Sequence, residues 1–101
     1  MRTAYSDEQI TRTKNIVKIV GDASNVLILY ELMNFGEKSF NEMKRMTDIN
    51  SVTLSKKLSQ LKAEGLVGSR HFGNENRYFV TKNAEEYRPL IKVIESLVVN
   101  K

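Results

Sequence analysis

Residues 50–81 constrain this chain more than any other stretch: NSVTLSKKLSQLKAEGLVGSRHFGNENRYFVT. Asn50 is placed to cap a helix, because its side-chain oxygen can accept from one of the first free backbone N–H groups. Leu54, Leu58 and Leu61 then recur at spacings of four and three, which puts them on one inward stripe. Ser, Thr, Lys and Gln fill the outward face. Glu64-Gly65-Leu66-Val67 closes the helix. Two short strands follow, Val67 to Phe72 and Arg77 to Val80, around the turn-rich tip Gly73-Asn74-Glu75-Asn76. The stretch therefore predicts a helix over 51–64 and, directly after it, a basic hairpin over 67–80.

The remaining segments predict a mainly α chain around that unit. Ser6 and Gln9 form a capping box, with Tyr5 and Ile10 as its hydrophobic staple, for a helix over about 7–20 that ends at Gly21 in a left-handed stop. Its apolar face carries Ile10, Thr13, Val17 and Val20, with Ile16 beside them. Asp22-Ala23-Ser24 opens a second helix, about 25–35, whose VLILYELM run is apolar nearly all round and so belongs in the middle of the domain. Ser39 and Glu42 make another capping box for a short helix over 40–46, with Phe40, Met43 and Met46 inward, as Met33 is on the helix before it. The tight turn Thr47-Asp48-Ile49 joins it to the helix over 51–64, which is helix-turn-helix spacing. Thr81 caps a last helix over 82–99, in which Pro89 marks a kink or a fresh first turn. All of this makes one domain over residues 1–101, with no repeats or linkers.

Composition narrows the function. The net charge of +4 and the pI near 9.4 favour a polyanionic partner. Residues 51–79 hold Lys56, Lys57, Lys62, Arg70 and Arg77 against Glu64 and Glu75, a local net of +3. Cysteine is absent, which removes disulfides, thiolate metal sites and thiol redox sensing. No apolar run approaches the roughly 18 residues of a membrane span, and MRTAYSDEQ lacks the apolar core of a signal peptide. A soluble, cytoplasmic protein is expected. His71 is the only histidine, and Glu85-Glu86 are adjacent on a helix and so do not face each other. No nucleophile, base or metal set converges, so neither an enzyme, a metal site nor a cofactor is expected.

A polar, cationic helix followed by a cationic hairpin suits double-stranded DNA, the helix in a major groove and the hairpin on neighbouring phosphates or in the minor groove. With Leu54 inward, Val52, Lys56, Ser59 and Ala63 point most directly away from the core, flanked by Thr53 and Gln60. Ser51, Thr53, Lys56, Lys57 and Gln60 are the candidate DNA contacts of the helix. Each residue alone could belong to a merely solvated face; the surrounding helix-turn-helix and hairpin favour contact. In the hairpin Tyr78 and Val80 alternate inward while Arg77 and Phe79 face out. Arg70 and Arg77 flank the tip as candidate phosphate or minor-groove contacts, against the plainer role of keeping a strand edge soluble. His71 is placed to approach phosphate, and Phe79 is a packing residue.

The segments VLILYELMNFGEKSFNEM (26–43), TLSKKLSQLKAEGLV (53–67) and YFVTKNAEEYRPLI (78–91) resemble the HxlR-type branch of winged helix-turn-helix regulators, and more loosely the MarR and ArsR families. The resemblance covers about residues 24–98. It implies a winged helix-turn-helix with extra terminal helices, in which 51–64 is the recognition helix and 67–80 the wing. It also implies a transcriptional regulator that binds specific sequences in duplex DNA. The chain departs from that branch in having no cysteine and no tryptophan, and Thr81-Lys82-Asn83-Ala84 stands where Thr-x-x-Gly is usual. The competing reading is a winged-helix protein-interaction module without direct DNA binding, using the outward Val52 and Phe79. The first and last helices carry more apolar surface than one small core covers, which predicts a two-fold homodimer through Ile16, Val20, Ile91, Ile94, Leu97 and Val98. The sequence names no small-molecule effector, operator or regulated gene.

Overall fold

Side-chain caps fix where each of the first four helices begins. The computed structural model describes residues 4–99, so the domain expected over 1–101 runs past the described residues at both ends. Helix α1 spans Asp7–Val20, α2 Ala23–Phe35, α3 Phe40–Thr47 and α4 Ser51–Ala63. The Ser6 hydroxyl accepts from Gln9 N–H at 3.1 Å while the Gln9 side chain accepts from Ser6 N–H at 2.9 Å. Ser39 and Glu42 repeat this reciprocal pair at 3.2 and 2.9 Å. Asp22 caps α2 and Asn50 caps α4, each accepting from the backbone three residues on.

Helix ends are set by backbone conformation. Asp48 ends α3 in the left-handed region at φ 58°, which a short polar side chain tolerates better than most. That turn drops Ile49 into the core and leaves Asn50 to start α4. Gly21 differs from expectation: it stops α1 at φ −81°, in the right-handed region. A glycine suits it for another reason, since a Cβ there would lie 2.6 Å from the Val17 carbonyl oxygen.

The core gathers Ile28, Leu29 and Leu32 of α2 with Met43, Leu54, Leu58, Leu61, Leu66 and Val67 around them. Helix α2 packs against α1, α3, α4 and the helix that ends the chain, yet Leu27 and Phe35 remain exposed, so it is not enclosed all round. Met46 is exposed as well, not inward as expected. Three residues beyond Met43 it is rotated about 60° from the buried direction.

The sheet has three antiparallel strands in the order β1-β3-β2, with β1 Lys38–Ser39, β2 Val67–Phe72 and β3 Glu75–Val80. The two-residue β1, unforeseen in the sequence, pairs Lys38 with Tyr78 and Ser39 with Arg77 and so seats the hairpin root at the start of α3. The hairpin is tighter than expected. Phe72 pairs with Glu75 around a two-residue loop, and Gly73 supplies the positive φ of 65° that the first loop position of such a turn requires.

Residues 82–99 are not one helix. Lys82–Tyr87 is a 3-10 helix, and α5 runs over Arg88–Val99 with Pro89 in its first turn, where a missing N–H leaves no helical bond unmade. Thr81 does not cap this segment; its hydroxyl donates to the Gly65 carbonyl at 2.5 Å. Tyr87 and Ile91 face the core, so Ile91, at 2 % exposure, packs within its own subunit and is not available to a partner. Ile16, Val20 and Ile94 are half-buried, while Leu97 and Val98 are exposed.

Asp22 joins two elements, because it caps α2 and also takes Lys57 Nζ of α4 at 2.6 Å. The Lys57 hydrogen bond holds its carboxyl below the usual carboxylate range. A depressed folded pKa stabilises above the unfolded value of about 4 and ceases to do so as pH falls through the folded value. Asp22→Ala is expected to cost about 1–2 kcal/mol at pH 7. In urea titrations the gap between variant and parent should narrow below about pH 4; a gap unchanged down to pH 3 would contradict this role.

Candidate nucleic-acid interface

Three buried leucines set the rotation of α4: Leu54, Leu58 and Leu61 face α2, and everything else on the helix is placed by that choice. The outermost strip carries Val52, Lys56, Ser59 and Ala63, all exposed. On the flank toward the α1–α2 corner lie Lys57 and Gln60, which line a recess with Lys18, Ile19, Asp22, Asn25, Ala63 and Glu64. Two ion pairs cross it, Lys57–Asp22 at 2.6 Å and Lys18–Glu64 at 3.7 Å. On the opposite flank Ser55 lines a groove with Ser39, Phe40, Asn41, Glu75, Asn76 and Tyr78. Lys62 Nζ there donates to the Ser69 hydroxyl at 2.6 Å, linking α4 to the hairpin.

A further groove runs along the helix-turn-helix, lined by Asn41, Lys44, Arg45, Asp48, Ile49 and Asn50. Lys44 and Arg45 are exposed and make no ion pair among the described residues.

The register divides the hairpin into two faces. Val67, Ser69 and His71 stand opposite Val80, Tyr78 and Asn76 on the face whose root packs into the core; Gly68, Arg70 and Phe72 stand opposite Phe79, Arg77 and Glu75 on the outward face. Phe79 covers Gly68 so closely that a Cβ on Gly68 would lie 2.6 Å from its ring. Arg70 and Arg77 are direct cross-strand neighbours, an unfavourable pairing of like charges. Glu37, just after Gly36, resolves it. Its Oε2 accepts from Arg77 Nε at 2.9 Å and from Arg70 Nη2 and Nε at 3.1 and 3.3 Å. Arg77 also meets Glu75 at 3.0 Å and Glu42 at 3.6 Å. Hydrogen bonds from Arg70, and then Arg77, hold the Glu37 carboxyl below the usual range. The Glu37 bond, ahead of the Glu75 bond, raises Arg77.

The structure thus sorts the candidate residues. Ser51, Lys56, Gln60 and His71 are exposed, and Thr53 is half-buried beside the cap. Lys57 and Arg77 are mostly covered and paired with carboxylates of their own chain, and Arg70, though largely exposed, is held by Glu37. Sequence reasoning passed over Asn41, Lys44, Arg45, Ser55 and Asn76, which line the grooves beside α4. Adjacent Lys44-Arg45 on the polar side of so short a helix was the available signal.

The family model described as HxlR-like helix-turn-helix matches residues 19–100. Among solved structures the chain is similar to the transcriptional repressor BigR from Xylella fastidiosa, with a TM-score of 0.78 at 21% identity over 91% of this chain and 91% of that one. It is similar also to the redox regulator HypR in its oxidized form (TM-score 0.80, 19% identity, 89% of this chain and 96% of that one). A third is HlyU from Vibrio cholerae N16961 (TM-score 0.75, 20% identity, 92% and 98%). At these identities the likeness is one of fold. No curated protein sequence matches the chain.

The close cover of Gly68 by Phe79 yields a local test. Gly68→Ala should destabilise the domain by about 1–3 kcal/mol through overpacking. Adding Phe79→Leu should recover part of that loss in chemical denaturation, and strictly additive losses would count against the contact.

Proposed function

The chain belongs to the HxlR-like helix-turn-helix family, and from that premise we propose that it is a transcriptional regulator that binds specific sequences in double-stranded DNA as a homodimer. One observation carries the reading. The exposed strip of α4, with Lys56 at its middle, is bordered by a groove that holds Lys44 and Arg45 and by another walled by the hairpin. A helix with such a strip enters a major groove about 12 Å wide, where Lys meets guanine and Ser a base edge. Lys44 and Arg45 then reach the flanking phosphates. His71 and Asn76 lie on the hairpin face that continues toward α4 and approach the adjacent backbone or minor groove.

The dimer is supported by what the subunit leaves uncovered. Every residue from 4 to 15 is exposed, and the first half of α1 meets the body through the surface ion pair Arg12–Glu86. A helix of this length holds together poorly without packing. Ile10 and Val17 on α1, with Leu90, Val93, Leu97 and Val98 on α5, form apolar surface that a second copy would bury. Two copies of α4 would then read successive major grooves about 34 Å apart on an inverted repeat. The alternative of a protein-interaction module has Val52, at 80 % exposure, in its favour; Phe79, its other candidate, is taken up by Gly68.

Selection of bound genomic fragments should enrich one inverted repeat, with affinity falling steeply as salt rises. Lys44→Ala should flatten the slope of log K against log salt by about 2 per dimer for all sequences. Lys56→Ala should instead reduce discrimination between sites. Failure to enrich any motif, together with nuclease-resistant capture of a protein through Val52, would establish the alternative. In sedimentation equilibrium the parent should weigh twice 11.6 kDa, and Leu97→Glu should return it to the monomer; a concentration-independent monomer for the parent sinks the dimer.

A further inference from the structure

The wing carries two arginines, yet neither is free. Arg70 has one ionic partner among the described residues, Glu37, and its side chain is otherwise 62% exposed. Arg77 is 23% exposed and is shared by Glu37, Glu42 and Glu75. Glu37 itself is 25% exposed and is aimed by the chain reversal at Gly36, φ 86°, and by the pairing of β1 with β3 directly after it. One carboxylate oxygen receives three N–H donors from the two strands. Drawing Arg70 away to a DNA phosphate would break two of these bonds and leave a half-buried carboxylate less compensated beside a polyanion.

We propose that Glu37 limits the affinity of the protein for DNA as a whole: by holding Arg70 on the outward face of the hairpin it withholds that cation from DNA phosphates and so holds down sequence-independent binding. The proposal rests on the DNA-binding reading above. Phosphate contacts strengthen binding to every sequence alike, whereas discrimination arises from base contacts. An acidic residue that masks a wing arginine therefore lowers affinity for operator and for bulk DNA by about the same factor. Glu37 acts through Arg70 and touches no base.

The test compares the parent, Glu37→Gln, Arg70→Ala and the double variant, each as the full chain. Binding to the selected operator and to random duplex is measured from about 50 to 200 mM salt. Glu37→Gln keeps the side-chain shape and an acceptor oxygen while removing the charge. It should steepen the salt slope by about 2 per dimer, one new phosphate contact in each subunit, and tighten binding to operator and random duplex by about the same factor, leaving their ratio unchanged. Arg70→Ala should leave the parent's slope unchanged and should restore the parent's slope when added to Glu37→Gln. If Glu37→Gln weakens binding to both duplexes with no change of slope, Glu37 only supports the wing and the proposal is overturned. If Arg70→Ala alone flattens the slope, Arg70 already contacts DNA and the proposal is overturned as well. Loss of salt-dependent duplex binding by the parent itself would instead remove the DNA-binding reading, and this proposal with it.

Discussion

The seating of Leu54, Leu58 and Leu61 on α2 decides most of what this molecule can present. A helix with three fully covered leucines at those spacings has no rotational freedom, because turning it would expose one of them and bury a lysine or serine in exchange. Fixing that angle puts Val52, Lys56, Ser59 and Ala63 outermost. It also divides the rest of the helix into one flank that faces the α1–α2 corner and another that faces the hairpin. The two capped turns on either side, at Asp48 and at Gly65, bring the short α3 and the hairpin up beside that strip. The polar surface is a consequence of an apolar constraint.

Charge tells a less direct story. The sum over residues 51–79 is positive, but sums along the chain omit carboxylates that arrive from elsewhere. Asp22 takes Lys57, while Glu37 and Glu42 join Glu75 around the wing arginines. Of the cations on α3 and α4, Lys44, Arg45, Lys56 and Lys62 make no ion pair among the described residues, and none of these lies on the outward face of the hairpin. The helix-turn-helix therefore carries four cations with no carboxylate partner among the described residues, whereas both arginines of the hairpin are paired.

How much the sequence revealed follows from the range of the interactions involved. Caps such as Ser6 with Gln9 and Ser39 with Glu42 are three residues apart, and the leucine stripe repeats within one helix, so both were legible. The inward and outward faces of the hairpin were legible too, since strand residues alternate strictly. Strand β1 was not, because two residues carry no pattern; it exists only through its partner some forty residues later. The same distance hid the Glu37 pairings and turned Arg77 from an apparent phosphate ligand into a braced one. Ile91 looked like interface because periodicity marks an apolar face without saying which neighbour covers it; Tyr87 on the same stripe anchors that face in the subunit's own core. Pro89 was a better guide, since a residue without an N–H is comfortable only in a first turn, and α5 does begin there.

The last link joins assembly to recognition. Helix α1 is exposed over its first half, where Arg12 pairs with Glu86, and its end is tied to α4 through Lys18–Glu64 and, just beyond it, through Asp22–Lys57. Exposed ion pairs contribute little stability singly. Lys57 and Asp22 are largely covered, however, and Asp22 is held in place by its duty as the cap of α2. A change in the direction of α1 would be carried to α2 by the short Gly21-Asp22 connection and to α4 by the Lys57 contact. In the proposed dimer the packing of α1 and α5 against a second copy would set the separation and tilt of the two recognition helices. The same corner of the fold that stabilises the subunit would then govern whether both helices can sit in their grooves at once.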